Sequence, residues 1–153
     1  MRNKLEFSSE LSVSTEQAWQ WATSIEGIQR ELMPVIRMSF PKAVEDLSQI
    51  DVKPGERLFR SWILLGGFLP FDYSDLTFVE LIPGLRFVEE SPVGSMKYWR
   101  HERHLEATPT GTRISDRLSF EPRFPPRGVT VGFIRLLFTH RHRQLRKYLG
   151  DGG

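Results

Sequence analysis

Side chains in the C-terminal half of the sequence could form a buried polar cluster with binding or catalytic chemistry. His101 and Arg103 share one face of a predicted strand, and the turn at Thr108–Gly111 sets Asp116 of the partner strand roughly opposite Arg103, with His101 diagonal to it. Arg141 falls within the apolar stripe of the predicted C-terminal helix. A cation in that position requires a buried partner or a polar cavity.

Two interpretations of this cluster remain open from the sequence. In the structural interpretation, Asp116 compensates one or both arginines in an ion network. In the functional interpretation, Arg141, Arg103 or His101 holds a carboxylate, carbonyl or hydroxyl group of a ligand at the polar end of an apolar cavity. An Asp116→Asn variant separates them, because severe loss of stability with unaltered ligand uptake supports the structural interpretation.

The four histidines do not predict a metal site. His101 and His104 lie on opposite faces of a strand, and His140 and His142 are about 200° apart around a helix. Neither pair converges on one ion without rearrangement. Apart from Arg141, we expect the basic residues at the end of this helix to lie mainly on its solvent side, where they complement the helix dipole.

Two further acids could point inward from adjacent strands. Glu80 and Glu89 have positions that allow this, and a buried carboxylate can be tuned into a general base. We expect partnering by Lys or Arg at the surface instead. No Ser-His-Asp arrangement and no glycine-rich phosphate loop is present in the sequence.

The elements that position these side chains follow a simple order. A strand at Lys4–Val13 precedes two short helices that start near Thr15 and Ser24. Capping-box spacing predicts these starts, with Ser14 followed by Gln17 and Thr23 followed by Glu26. A long helix at Gly128–Leu149 closes the sequence. Between them, we predict strands at Val35–Phe40, Arg57–Leu65, Phe71–Ile82, Leu85–Ser91, Met96–Ala107 and Thr112–Glu121.

Sequential turns between these strands favour antiparallel pairing. The sequence therefore predicts an α+β fold, in which a curved seven-stranded antiparallel sheet wraps around the long C-terminal helix, with two short helices after the first strand. The length of 153 residues, without a linker or repeat, predicts a single domain over 1–153.

The composition narrows the classes of function. A net charge of only +2 argues against a nucleic-acid partner. The absence of cysteine excludes disulfides and thiolate chemistry, and no apolar segment is long enough to span a membrane. We expect a soluble cytoplasmic protein with no cofactor and no metal, and transient contact of its basic helix end with a membrane surface remains open.

Short motifs along the chain resemble those of a known superfamily. They are Pro83-Gly84, Phe87, Trp99, His101, Gly111-Thr112, Asp116, Phe138, Arg141 and Leu145. With the order of elements, they resemble the SRPBCC superfamily, the START and Bet v 1-like helix-grip proteins, and in particular its bacterial polyketide cyclase/dehydrase-like members. This resemblance implies a deep cavity between sheet and helix that holds an apolar or amphipathic small molecule.

Inward-facing positions around this expected cavity give the candidate ligand-binding residues. Aromatic side chains are frequent among them, and a residue of the core can also serve as a wall of the cavity. The candidates are Phe78, Phe87, Trp99, His101, Arg103, Asp116, Leu118, Phe120, Ile134, Leu137, Phe138 and Arg141.

Three functions are compatible with these features. The first is binding or transport of a hydrophobic or amphipathic small molecule, of lipid, polyketide or isoprenoid-like kind. The alternative is a cyclase or dehydratase in which His101, Glu80 or Asp116 moves protons. The third is an interaction module that uses the basic helix end to contact a protein or membrane.

Overall fold

The first strand of the chain pairs with its last strand, and the strands between them complete one sheet. The computed structural model describes residues 2–47 and 51–150. Its elements are β1 (Asn3–Leu11), α1 (Thr15–Thr23), α2 (Ile25–Leu32), β2 (Ile36–Met38), β3 (Arg57–Leu65), β4 (Leu69–Ile82), β5 (Arg86–Glu90), β6 (Met96–Thr108), β7 (Gly111–Pro122) and α3 (Arg127–Leu149).

The sheet has the strand order β1-β7-β6-β5-β4-β3-β2. Every neighbouring pair is antiparallel, and the hairpin between β6 and β7 pairs Arg103 with Asp116 as expected. The sheet curls around α3, because twisted strands of this number can enclose a helix. The predicted α+β architecture is therefore confirmed, with small differences at the ends of the elements.

The two short helices follow each other directly, because Ser24 ends α1 and also caps α2. The second of them packs against α3. Ser14 caps α1 in a capping box with Gln17, as the sequence predicts. At α2 the expected box of Thr23 and Glu26 is wrong, because Ser24 caps the helix by accepting from the Gly27 amide. The Thr23 hydroxyl instead donates to the Trp19 carbonyl within α1.

Side chains inside the fold are arranged in three layers along α3. One end is an apolar cluster that we call the packed layer, formed by Leu11, Ala18, Leu105, Ile114 and Leu145. The other end is the cavity layer, whose buried members are Leu5, Leu32, Ile36, Val93, Met96, Leu118, Phe120, Ile134, Leu137 and Phe138. Charged and polar residues lie between the two apolar layers and form the polar layer described below.

Candidate functional site

Arg103 occupies the centre of the polar layer and is fully enclosed. Its Nε and Nη2 atoms donate to the two carboxylate oxygens of Asp116 at 2.8 and 2.9 Å. Its Nη2 and Nη1 atoms donate to the carboxylate of Glu31 at 2.8 and 3.1 Å. A guanidinium group bound by two carboxylates in this bidentate way is held rigidly. Arg103 is therefore a structural cation of the interior.

Asp116 also receives two imidazole groups. The Nε2 atoms of His101 and His142 each lie 2.7 Å from one of its oxygens. Because an ionised carboxylate can only accept, both Nε2 atoms carry hydrogen. The Nδ1 atom of His142 lies 2.7 Å from the Ser9 hydroxyl, which in turn accepts from Arg146. Both ring nitrogens of His142 are thus hydrogen-bonded, one to Asp116 and the other to Ser9.

Glu31 connects α2 to both arginines of the polar layer. Its carboxylate is completely buried and accepts from Arg141 Nε at 3.1 Å and from Trp21 Nε1 at 2.8 Å, in addition to Arg103. Of the two arginines that the structural interpretation offered to Asp116, Arg103 is bound by Asp116, whereas Arg141 is bound by Glu31. Glu31 was not among the predicted site residues, because nothing in the local sequence shows that α2 directs this carboxylate toward Arg103.

The buried carboxylates are held in their ionised form. Burial alone would raise the pKa of Asp116, but Arg103 and then His101 outweigh it, and the pKa lies well below its ordinary value. Burial likewise opposes ionisation of Glu31, and Arg103 and Arg141 lower its pKa. Burial disfavours the charged form of Arg103, yet the two carboxylates raise its pKa.

Two adjoining cavities lie between the sheet and the helices. The larger has a volume of about 390 Å³ and lies against the N-terminal half of α3, while the smaller, of about 150 Å³, lies beneath α1 and α2. Both are lined mainly by apolar side chains, as ligand sites commonly are. They share five lining residues, which are Leu32, Met38, Glu89, His101 and Arg141. The polar layer thus supplies the charged wall where the cavities meet.

The structure places the candidate ligand-binding residues in two groups. Eight of them line one or both cavities: Phe78, Phe87, Trp99, His101, Ile134, Leu137, Phe138 and Arg141. The other four, Arg103, Asp116, Leu118 and Phe120, are buried but are absent from the lining of the cavities. Arg103 and Asp116 support the wall from behind, whereas His101 and Arg141 form part of it.

The structure also tests the expected positions of three other charged residues. His142 does not lie on the solvent side of α3, because its imidazole is almost fully buried against Asp116. Glu80 pairs with Arg86 near the surface, as expected. Glu89, expected to find a surface partner, instead lines both cavities, and its Oε1 atom lies 3.7 Å from His101 Nδ1.

His101 has one ring nitrogen held by Asp116 and the other at the cavity wall. Asp116 fixes its Nε2 hydrogen, so that Nδ1 is directed toward Glu89 at the cavity wall.

In the described part of the chain, no group of three or more histidine and acidic side chains could hold a metal ion. Among the described helices, none is long and apolar enough to cross a membrane.

Solved structures with this architecture come from several bacteria. A protein from Chromobacterium violaceum has a TM-score of 0.72 at 16% identity, covering 97% of this chain and 99% of its own. A START superfamily protein from Mycobacterium smegmatis has a TM-score of 0.65 at 10% identity, covering 95% and 96%. An AHSA1-like protein from Aeromonas hydrophila has a TM-score of 0.63 at 13% identity, covering 94% and 92%.

These similarities confirm the predicted resemblance to the START-like helix-grip proteins at the level of the fold. Identities this low carry no activity from those proteins to this chain. A search of curated proteins finds no significant sequence relative. The family described as "Domain of unknown function (DUF8410)" matches residues 9–149, and the chain belongs to that family.

Proposed function

We propose that this protein binds a hydrophobic or amphipathic small molecule, of lipid, polyketide or isoprenoid-like kind, between the sheet and α3. The observation that carries the proposal is the pair of adjoining apolar cavities with a shared wall of Glu89, His101 and Arg141. A volume of about 390 Å³ for the larger cavity lies within the range of ordinary ligand pockets.

Filling the larger cavity tests this proposal. Ile134 lines that cavity from α3, so Ile134→Phe should displace ligand volume while retaining an apolar side chain. Leu136 lies on the exposed face of the same helix, and Leu136→Phe is the matched control. Native mass spectrometry of the purified proteins should show a bound small molecule in the wild type and in Leu136→Phe.

The Ile134→Phe variant should have lost that molecule, while circular dichroism confirms an unchanged fold. Titration with Nile red, a neutral dye that fluoresces in apolar surroundings, provides the same comparison without a co-purified ligand. Equal dye binding by Ile134→Phe and wild type would contradict a site in this cavity.

A second candidate function is catalysis of the cyclase or dehydratase kind. It is favoured by His101, whose Nε2 is fixed by Asp116 while Nδ1 faces the cavity wall. The probe is an aryl β-hydroxyketone, whose dehydration to the enone raises its ultraviolet absorbance. His101→Gln should abolish turnover and leave Nile red binding unchanged. Turnover that survives this substitution would exclude His101 as the base.

A further inference from the structure

The wall shared by the two cavities contains a hydrogen-bond donor, Arg141, and a hydrogen-bond acceptor, Glu89. Each of them makes fewer hydrogen bonds than its side chain allows. Within residues 2–47 and 51–150, Arg141 makes a single hydrogen bond, from Nε to Glu31; its terminal amino groups make none, while the guanidinium carbon lies 4.9 Å from the centre of the Phe138 ring. Glu89 accepts from the Ser91 hydroxyl through Oε2, whereas Oε1 lies 3.7 Å from His101 Nδ1. A ligand could therefore both accept from Arg141 and donate to Glu89.

The formal charge of this region disfavours an anionic ligand. Three carboxylates, those of Glu31, Glu89 and Asp116, outnumber the two guanidinium groups of Arg103 and Arg141. Asp72 adds another carboxylate to the lining of the larger cavity. A carboxylate on the ligand would have to share Arg141 with Glu31 and would lie beside the carboxylate of Glu89, which is unfavourable in a buried site.

Ser74 provides a second polar position in the larger cavity. It is only 3% exposed and lines that cavity, and its hydroxyl has no hydrogen-bond partner in the described residues. Its cross-strand neighbour Ser61 is also buried but donates to the Ser39 carbonyl at 2.7 Å. Buried hydroxyl groups are normally satisfied, so the one at Ser74 points to a ligand.

The two polar positions lie at different depths of the cavity. Ser74 precedes Phe78 by four positions on β4, and Phe78 pairs with Glu89 on β5. At the rise of an extended strand, the backbones of Ser74 and Phe78 are about 13 Å apart along β4, and the Glu89 carboxylate leans toward Ser74 through its bond with Ser91. Apolar side chains of the sheet and of α3 line the space between them.

From this arrangement, and resting on the proposed function, we propose that the ligand is an elongated neutral molecule rather than a fatty-acid carboxylate. One end presents a hydrogen-bond acceptor to Arg141 and a donor to Glu89, as a hydroxyketone or a carboxamide does. A second hydroxyl or carbonyl group, farther along the molecule, bonds to Ser74.

Three decane derivatives of matched chain length test whether the ligand is neutral and whether its far end bonds to Ser74. They are decanoate, decanamide, and decanamide with a terminal hydroxyl group, and each is titrated against protein loaded with Nile red. We expect decanamide to bind at least about tenfold more tightly than decanoate, because only decanoate adds a buried charge. The terminal hydroxyl should increase affinity by a further factor of about 3 to 10.

Two variants with matched controls assign these effects to residues. Glu89→Gln removes a negative charge from the wall and should reduce the difference in affinity between decanoate and decanamide. Glu90 pairs with Arg100 instead, so Glu90→Gln should leave this difference in affinity unchanged. Ser74→Ala should abolish only the gain from the terminal hydroxyl. Ser61→Ala, outside the cavity lining, should retain that gain.

The outcomes separate the inference from the proposed function. Equal binding of decanoate and decanamide, or a preference unaltered by Glu89→Gln, overturns the neutral ligand while dye binding still supports the cavity. If the hydroxyl gain persists in Ser74→Ala, a bound water satisfies Ser74 and the second contact is wrong. If neither Nile red nor any decane derivative binds, the proposed function itself fails.

Discussion

The two apolar layers on either side of the polar layer share β1, β6, β7 and α3 but are filled to different degrees. In the packed layer, Ile114 and Leu145 are completely buried and close the end of the fold. In the cavity layer, Leu137 and Ile134 are nearly as buried, yet they face the larger cavity. Burial from solvent is therefore a poor guide to packing in this protein.

The two arginines of the polar layer repeat this contrast. Arg103 uses both edges of its guanidinium group for Asp116 and Glu31, whereas Arg141 makes one hydrogen bond and lines both cavities. The buried ion network thus has a structural side and a side that faces the ligand space. The structural and functional interpretations each describe one of these arginines.

Substitution of the two arginines should produce the largest difference in stability. Arg103→Met leaves two buried carboxylates without their common cation and should cost about 3–5 kcal/mol in the free energy of unfolding. Arg141→Met leaves Glu31 bonded to Arg103 and Trp21, and should cost about 1–2 kcal/mol. Urea unfolding measures both. Equal losses would contradict the division between the two arginines.

Truncation of leucines on α3 compares the two apolar layers directly. Leu145→Ala opens a new void in the packed layer and should cost about 4 kcal/mol. Leu137→Ala enlarges an existing cavity and loses fewer contacts, so we expect about 2 kcal/mol. Thermal and urea unfolding check the order. A larger loss for Leu137→Ala would show that the cavity layer is tightly packed in solution.

Acid should destabilise the protein through the polar layer. The pKa values of Glu31 and Asp116 are lowered by folding, so their stabilising effect is present above the ordinary carboxyl pKa and is lost as the pH falls below it. The free energy of unfolding should decrease below about pH 4, by a few kcal/mol at about pH 2 to 3.

Asp116→Asn provides the control for this pH dependence. This variant should be less stable near neutral pH, since Arg103 loses its carboxylate partner. It should also show a weaker decline in acid, because one of the two groups with a lowered pKa is gone. An identical acid profile for the variant and wild type would place the pH dependence in other carboxylates.

The smallest effect concerns two cross-strand serines. Ser61→Ala removes the hydrogen bond to the Ser39 carbonyl and should cost about 1 kcal/mol. Ser74→Ala removes a hydroxyl without a partner in the described residues and should change stability by less than about 0.5 kcal/mol. Comparable losses would indicate that Ser74 is satisfied in the absence of ligand.

Local patterns predicted the sheet and part of the polar layer. The turn at Thr108–Gly111 fixes the register of β6 and β7, and this register alone brings Arg103 to Asp116 and sets His101 diagonally beside it. Alternating hydrophobicity and glycine or proline turns likewise located the seven strands. Such signals depend only on residues close in the sequence.

The missed residues depend on how distant elements dock. Glu31 lies next to Arg30 in a short helix, and nothing local shows that α2 turns this carboxylate toward Arg103, 72 positions later. His142 is about 80° from Ile134 around α3, at the edge of the expected stripe. The buried face of α3 is wider than that stripe, because β1 covers its flank and Phe7 stacks on His142.

The pairing of β1 with β7 has a consequence for the order of folding during synthesis. The register joins Asn3 to Phe120, and Glu31 receives Arg141 only after α3 has been made. Until β7 has been made, β1 has no partner strand, and until α3 has been made, the polar layer lacks Arg141. Local hairpins such as β6–β7 can form earlier at low entropic cost, so closure of the sheet around α3 must come last.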